Sequence, residues 1–305
     1  MRYRSFTAGQ RLIGWNGLHL ALPAGWEAMV SGPHHLLLEF NFAPVLEIRW
    51  AADSKGSPED IIATARQRFA ALHHDVRRID PPPPFAALGA GRGIAWLSWQ
   101  DGDRPDGLLW QCPECRTVLL CRLFHHHPEI TSQLGAVLDS VQCHRSHGAP
   151  SYWSIQDFQL ILPPEYTFTD STFAAGLSRL AFSGNGLKLQ FCRLAPAATR
   201  LAASSLPQLL GTLVGGPLPE DAITDAPEVY ECRNHPSASH RWLARLRRLP
   251  PYRWGRIRHD VPHNRLLAVT AESTEAIDLT IVHGLCLHYE IVPPNHITTV
   301  NPEPR

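Results

Sequence analysis

Leu18-His19-Leu20-Ala21-Leu22-Pro23, with Trp26 close behind, decides the fold, because Phe158-Gln159-Leu160-Ile161-Leu162-Pro163, with Tyr166 behind it, repeats the pattern later in the chain. Each copy reads as a strand ended by a proline, which cannot donate the next ladder hydrogen bond. Further landmarks recur in the same order. Leu38-Glu39-Phe40 matches Leu180-Ala181-Phe182, and Leu46-Glu47-Ile48-Arg49-Trp50 matches Leu187-Lys188-Leu189-Gln190-Phe191. Both sets alternate apolar with other residues at period two, so they read as antiparallel strands with one wet face.

A helix is expected next in each half. Ser57-Pro58-Glu59-Asp60 supplies an N-cap serine and a first-turn proline, and Ile61, Ile62, Ala65, Phe69 and Leu72 form its apolar face; the counterpart starts near Ser205 and Pro207. Beyond a connection holding Pro81 to Pro84, Ile94-Ala95-Trp96-Leu97-Ser98-Trp99 aligns with Arg241-Trp242-Leu243-Ala244-Arg245-Leu246, which implies a strand in both places. Cys112-Pro113-Glu114-Cys115-Arg116 then stands opposite Val261-Pro262-His263-Asn264-Arg265, before strands at 117–124 and 266–270. Helices starting near Pro128-Glu129 and Thr274-Glu275 lead to short last strands, Val141-Gln142-Cys143-His144 and Leu285-Cys286-Leu287-His288. Self-similarity at so long a period implies a duplicated domain.

Length and composition agree with that organisation. The chain has 305 residues, about twice an ordinary domain, with 44% hydrophobic and 18% charged residues, too apolar for disorder. No stretch approaches the roughly 18 unbroken apolar residues of a membrane span. Met1 to Leu22 carries three arginines and interrupts its apolar run at Gly14, Asn16 and His19, unlike a secretory signal, so a cytoplasmic protein without a membrane partner is expected. The 28 basic and 28 acidic residues cancel, which leaves only local patches to bind a polyanion. Seven irregularly spaced cysteines suit a reducing compartment better than a disulfide framework.

The order strand-Pro-aromatic, two strands, helix, strand meander, helix, terminal strand resembles the superfamily of PsbP-type photosystem accessory proteins, Mog-type Ran-binding proteins and DcrB-like bacterial lipoproteins. Leu20-Ala21-Leu22-Pro23-Ala24-Gly25-Trp26 at the front and Ala136-Val137-Leu138-Asp139-Ser140-Val141 at the back carry the likeness. It implies an α+β fold, a curved antiparallel sheet covered by helices, in proteins that mostly bind partners or serve larger machines. It contains no catalytic residue to carry over. The expected layout is two tandem repeats, 10–147 and 150–293, followed by a Pro-rich tail, 294–305.

Cys112-x-x-Cys115 is the strongest chemical signal, since two thiolates at this spacing on a turn can share one Zn²⁺ and need two further ligands. Cys143 and His144 are the natural partners, with His125, His126, His127 and His147 as alternatives; plain turn thiols, or a redox dithiol, are the competing readings. The second copy offers Val261 and Asn264 at the aligned positions, so the fold is expected to form there without metal. His144 and His288 recur at matching positions, which reads as a shared site or, more often, as a shared structural hydrogen bond. The stretch from Arg241 to Arg258 is dense in arginine and interleaved with Trp242, Tyr252 and Trp254; Arg245, Arg247, Arg248 and Trp254 are its candidate partner-binding residues. Such groups grip phosphates and stack bases, or meet an acidic protein; the bland alternative is a strand, loop and strand with a wet arginine face.

Enzyme signatures are absent from the sequence. Gly89-x-Gly91-x-Gly93 precedes a strand instead of a helix, and there is no Gly-Lys-Ser/Thr loop, His-Glu-x-x-His or Gly-x-Ser-x-Gly. Three readings follow: a non-catalytic accessory or protein-binding module, a zinc protein using Cys112, Cys115, Cys143 and a histidine, and a single-stranded nucleic-acid binder through Arg241 to Arg258.

Overall fold

The computed structural model describes residues 10–52, 59–61, 63–64, 67, 76–81, 83–86, 88, 93–99, 106–124, 128–143, 148–214, 222–223 and 226–292. It is α+β, with antiparallel sheets throughout. The chain divides into two compact units, one running to His147 and including Trp153–Gln156, the other made of Gly148–Tyr152 and Asp157–Pro293.

The first unit opens with a hairpin of β1 (Arg11–Trp15) and β2 (Leu18–Leu22). Its two-residue turn is Asn16-Gly17, both at positive φ (42° and 85°), the chemistry that lets a tight turn match strand twist. The main sheet holds β3 (Trp26–Gly32), β4 (His35–Phe40), β5 (Ala43–Ala51), β6 (Arg77–Ile79), β7 (Ala95–Ser98), β8 (Gly107–Gln111) and β9 (Val118–Leu123). Their order across the sheet is β3-β4-β5-β9-β8-β7-β6. Val76, Ala95, Leu97, Trp99, Leu109 and Val118 form a buried cluster, and Ile61, in the helical residues 59–61, packs on it. Ser57, Pro58, Ile62, Ala65, Phe69 and Leu72 of the expected helix lie outside the described residues. Helix α1 (Pro128–Ser140) closes the unit, and Gln142 then pairs with His19 through two backbone hydrogen bonds, 2.8 and 2.9 Å.

After β10 (Ser151–Ile155), of which residues 153–155 fall in the first unit, the second unit continues with β11 (Phe158–Leu162), β12 (Thr167–Ala174), β13 (Leu177–Gly184) and β14 (Leu187–Leu194). Helices α2 (Ala197–Ala203) and α3 (Leu206–Val214), strand β15 (Val229–Arg233), helix α4 (Ala238–Leu246), strands β16 (Tyr252–Asp260) and β17 (Arg265–Ser273), helix α5 (Leu279–Cys286) and β18 (Tyr289–Ile291) complete it. The main sheet runs β12-β13-β14-β17-β16-β15. Leu210 of α3 sits on a cluster of Cys192, Leu194, Ala197, Cys232, Ile257, Leu266 and Ala268. Gly255 lets it approach, since a Cβ there would lie 3.1 Å from the Leu210 side chain. Strand β18 pairs with β11, with Tyr289 opposite Leu160.

Two expected strands are corrected. Arg241 to Leu246 is the helix α4, capped at Ser237, whose hydroxyl accepts from the His240 amide. A short apolar run does not separate strand from helix by period alone, and here the cap tips the balance. The second-unit strand in the sheet position of β7 is instead β15. Leu285 to His288 is likewise the end of α5 and its cap, and the terminal strand follows at Tyr289–Ile291. Among the described residues no helix is long and apolar enough to cross a membrane.

Candidate metal centre

Strand β8 ends at Gln111, and Cys112 begins the turn to β9, donating its amide to the Thr117 carbonyl at 2.8 Å. The Arg116 amide donates back to the Cys112 carbonyl at 3.0 Å, and Arg116 takes φ +57° to close the loop. This geometry places Cys112 and Cys115 together. Cys143 arrives from the other direction, held by the Gln142–His19 pairing just after α1. The ligand atoms of Cys112, Cys115 and Cys143 all lie within 4.8 Å of one another, and the Cys115 and Cys143 sulfurs are 3.6 Å apart. Two thiolates on one tetrahedral Zn²⁺, at about 2.3 Å each, stand about 3.8 Å apart, so the spacing fits a metal with little movement.

Cys112 is buried, while Cys115 and Cys143 are half-buried. Burial opposes ionisation of Cys115, but hydrogen bonding with the Thr117 hydroxyl (3.1 Å) and amide and with the two neighbouring thiols outweighs it, and its pKa falls below the ordinary thiol value. For Cys143 burial raises the pKa, and repulsion from the other two thiols raises it further. Cys115 is thus the readier of the two to ionise and Cys143 the more resistant. Three soft sulfur donors suit Zn²⁺. Of the expected fourth ligands, His144, His125, His126, His127 and His147 all lie outside the described residues.

The second-unit hairpin corrects the alignment by one residue. Asn264 there takes φ +55°, the role of Arg116, and Asp260 pairs with Arg265 as Cys112 does with Thr117. Asp260 and His263 thus hold the turn positions that Cys112 and Cys115 hold in the first unit, one residue before the expected Val261 and Asn264. Those two side chains bind each other, with Asp260 Oδ1 2.6 Å from His263 Nδ1. Glu290 faces Gln159 as Gln142 faces His19, so the residue after that pairing is Ile291 in the second unit and Cys143 in the first. The thiol set is a property of the first unit.

In the arginine-rich stretch, Arg245, Arg247 and Arg248 are exposed. Trp254 is not: it is 1% exposed, and its indole donates to Glu231 Oε1 at 2.9 Å. It belongs to the core, and the exposed tryptophan is Trp242. Glu231 is itself buried and also meets His283 Nε2 at 2.7 Å, a hub that sequence reading missed because its partners lie 23 and 52 positions away.

No family model and no curated protein matches the chain. A solved structure described as the crystal structure of MucB is similar over 92% of this chain and 84% of that one, at 12% identity and a TM-score of 0.18, too low to carry any argument.

Proposed function

We propose that the protein is a non-catalytic accessory module in which Zn²⁺ held by Cys112, Cys115, Cys143 and a histidine, His144 being nearest in sequence, ties the β8–β9 turn to the segment after α1. The convergence of three sulfurs from two distant parts of the chain within 4.8 Å carries the reading. The seven cysteines are all free thiols, which suits the reducing cytoplasm, where thiolate sites hold metal. We read the two units as tandem copies of one PsbP-like domain, supported by strand orders that correspond position for position from β3 to β7 and from β12 to β15. A protein partner is the accessory role this implies.

Metal analysis of untagged protein tests the site. About one equivalent of zinc is expected, and Cys115→Ser together with Cys143→Ser should reduce it below about a tenth of an equivalent. Substituted Co²⁺ should show sulfur-to-metal charge transfer that the double variant lacks. Wild-type protein loaded with excess Zn²⁺ and desalted, yet retaining under a tenth of an equivalent, would end the proposal.

A further inference from the structure

Helix α4 is an unusual element for a folded unit, because of its nine residues only Ala244 is buried. A helix this short is marginal in water unless it packs on something, and this one buries Ala244 alone. It stands in a long connection, 234–251 between β15 and β16, where the corresponding link between β7 and β8 spans only 99–106. The sheet order does not require it.

Its chemistry is two-sided. Among the described residues ten large apolar side chains are exposed, and four of them fall here: Trp242 (65%), Leu246 (62%), Leu249 (51%) and Leu243 (40%). Trp242 and Leu246 are one helical turn apart, and Ala244, two positions from each, marks the opposite, inward side. Arg241 and Arg245, also one turn apart, flank that outward stripe, and Arg247 and Arg248 follow it. Within 234–251 the chain has four arginines and no carboxylate, so a protein of zero net charge carries a cationic, apolar-tipped knob here.

We propose that this knob docks on an anionic phospholipid surface, with Trp242, Leu243, Leu246 and Leu249 entering the headgroup–acyl boundary and Arg241, Arg245, Arg247 and Arg248 lying at phosphate level. The combination of a wet apolar stripe with flanking arginines is what an interfacial helix needs. A single-stranded nucleic acid would engage the arginines and Trp242 but leave three leucines in water, so the leucines decide between the two polyanions. Long arginine stems reach the headgroups while their carbons cover apolar surface.

Co-sedimentation of the full chain with vesicles tests this. Binding is expected to equal mixtures of phosphatidylserine and phosphatidylcholine, to fall with added salt, and to be weak on pure phosphatidylcholine. Trp242→Ser with Leu246→Ser should weaken partitioning by about tenfold or more, and an unchanged circular dichroism spectrum is expected because both side chains are exposed. Arg241→Gln with Arg245→Gln should remove the preference for anionic vesicles. Absence of binding to the anionic vesicles, or full binding by the Trp242/Leu246 variant, overturns the proposal. Retardation of a single-stranded oligonucleotide without vesicle binding overturns it in favour of nucleic acid.

Discussion

Asp157 shows what a single side chain contributes here. Its Oδ2 accepts from Arg193 Nη2 at 2.6 Å and from Arg265 Nε at 2.7 Å, linking the turn before β11 to β14 and β17. Burial raises its pKa, but the two guanidinium hydrogen bonds and charges prevail, and the carboxyl sits below its ordinary value of 3.8. A depressed folded pKa means the contribution is complete above the unfolded value and is lost as pH falls through the folded one. Asp157→Asn should therefore cost about 1 kcal/mol at pH 7, a figure discounted because the group is partly wetted, with the gap narrowing below about pH 4. Urea melts of both proteins across that range check it, and a gap independent of pH would refute it.

At the scale of elements, close approach sets the limits. Gly107 begins β8, and a Cβ there would meet the Cys121 carbonyl at 2.4 Å and the Trp99 ring at 2.5 Å. The carbonyl belongs to a neighbouring strand and cannot swing away, so Gly107→Ala should cost about 1–3 kcal/mol by overpacking. At Gly284 in α5 a Cβ would have nothing within 4 Å, and Gly284→Ala should stabilise by up to about 1 kcal/mol through helix propensity. Denaturant midpoints moving in opposite directions would bear this out. Helix α4 illustrates the limit of reading elements from a short segment. Trp242-Leu243-Ala244 fits either period, and the Ser237 cap, outside the aligned block, carries the information that the block lacks.

For the whole molecule, the three thiols join parts of the first unit that are remote in sequence, whereas in the β16–β17 hairpin of the second Asp260 and His263 bind each other. Removing zinc with a chelator should therefore raise amide exchange around 106–124 and 141–143 and leave β16 and β17 unchanged. Equal loosening of both hairpins would contradict a site confined to the first unit. The alternating strands, the strand-ending prolines and the turn carrying Cys112 and Cys115 were legible in the residues, because side-chain period and turn chemistry are local properties. Cys143 was nameable as a partner, but its 3.6 Å approach to Cys115 was not, since it depends on how Gln142 pairs with His19. The same holds for the turn positions of Asp260 and His263, which follow from where the loop takes its left-handed residue, Asn264. Burial of Trp254 and exposure of Trp242 were beyond the sequence for a like reason. An amino-acid string specifies which residues prefer to leave water, and only the packed chain decides which of them do.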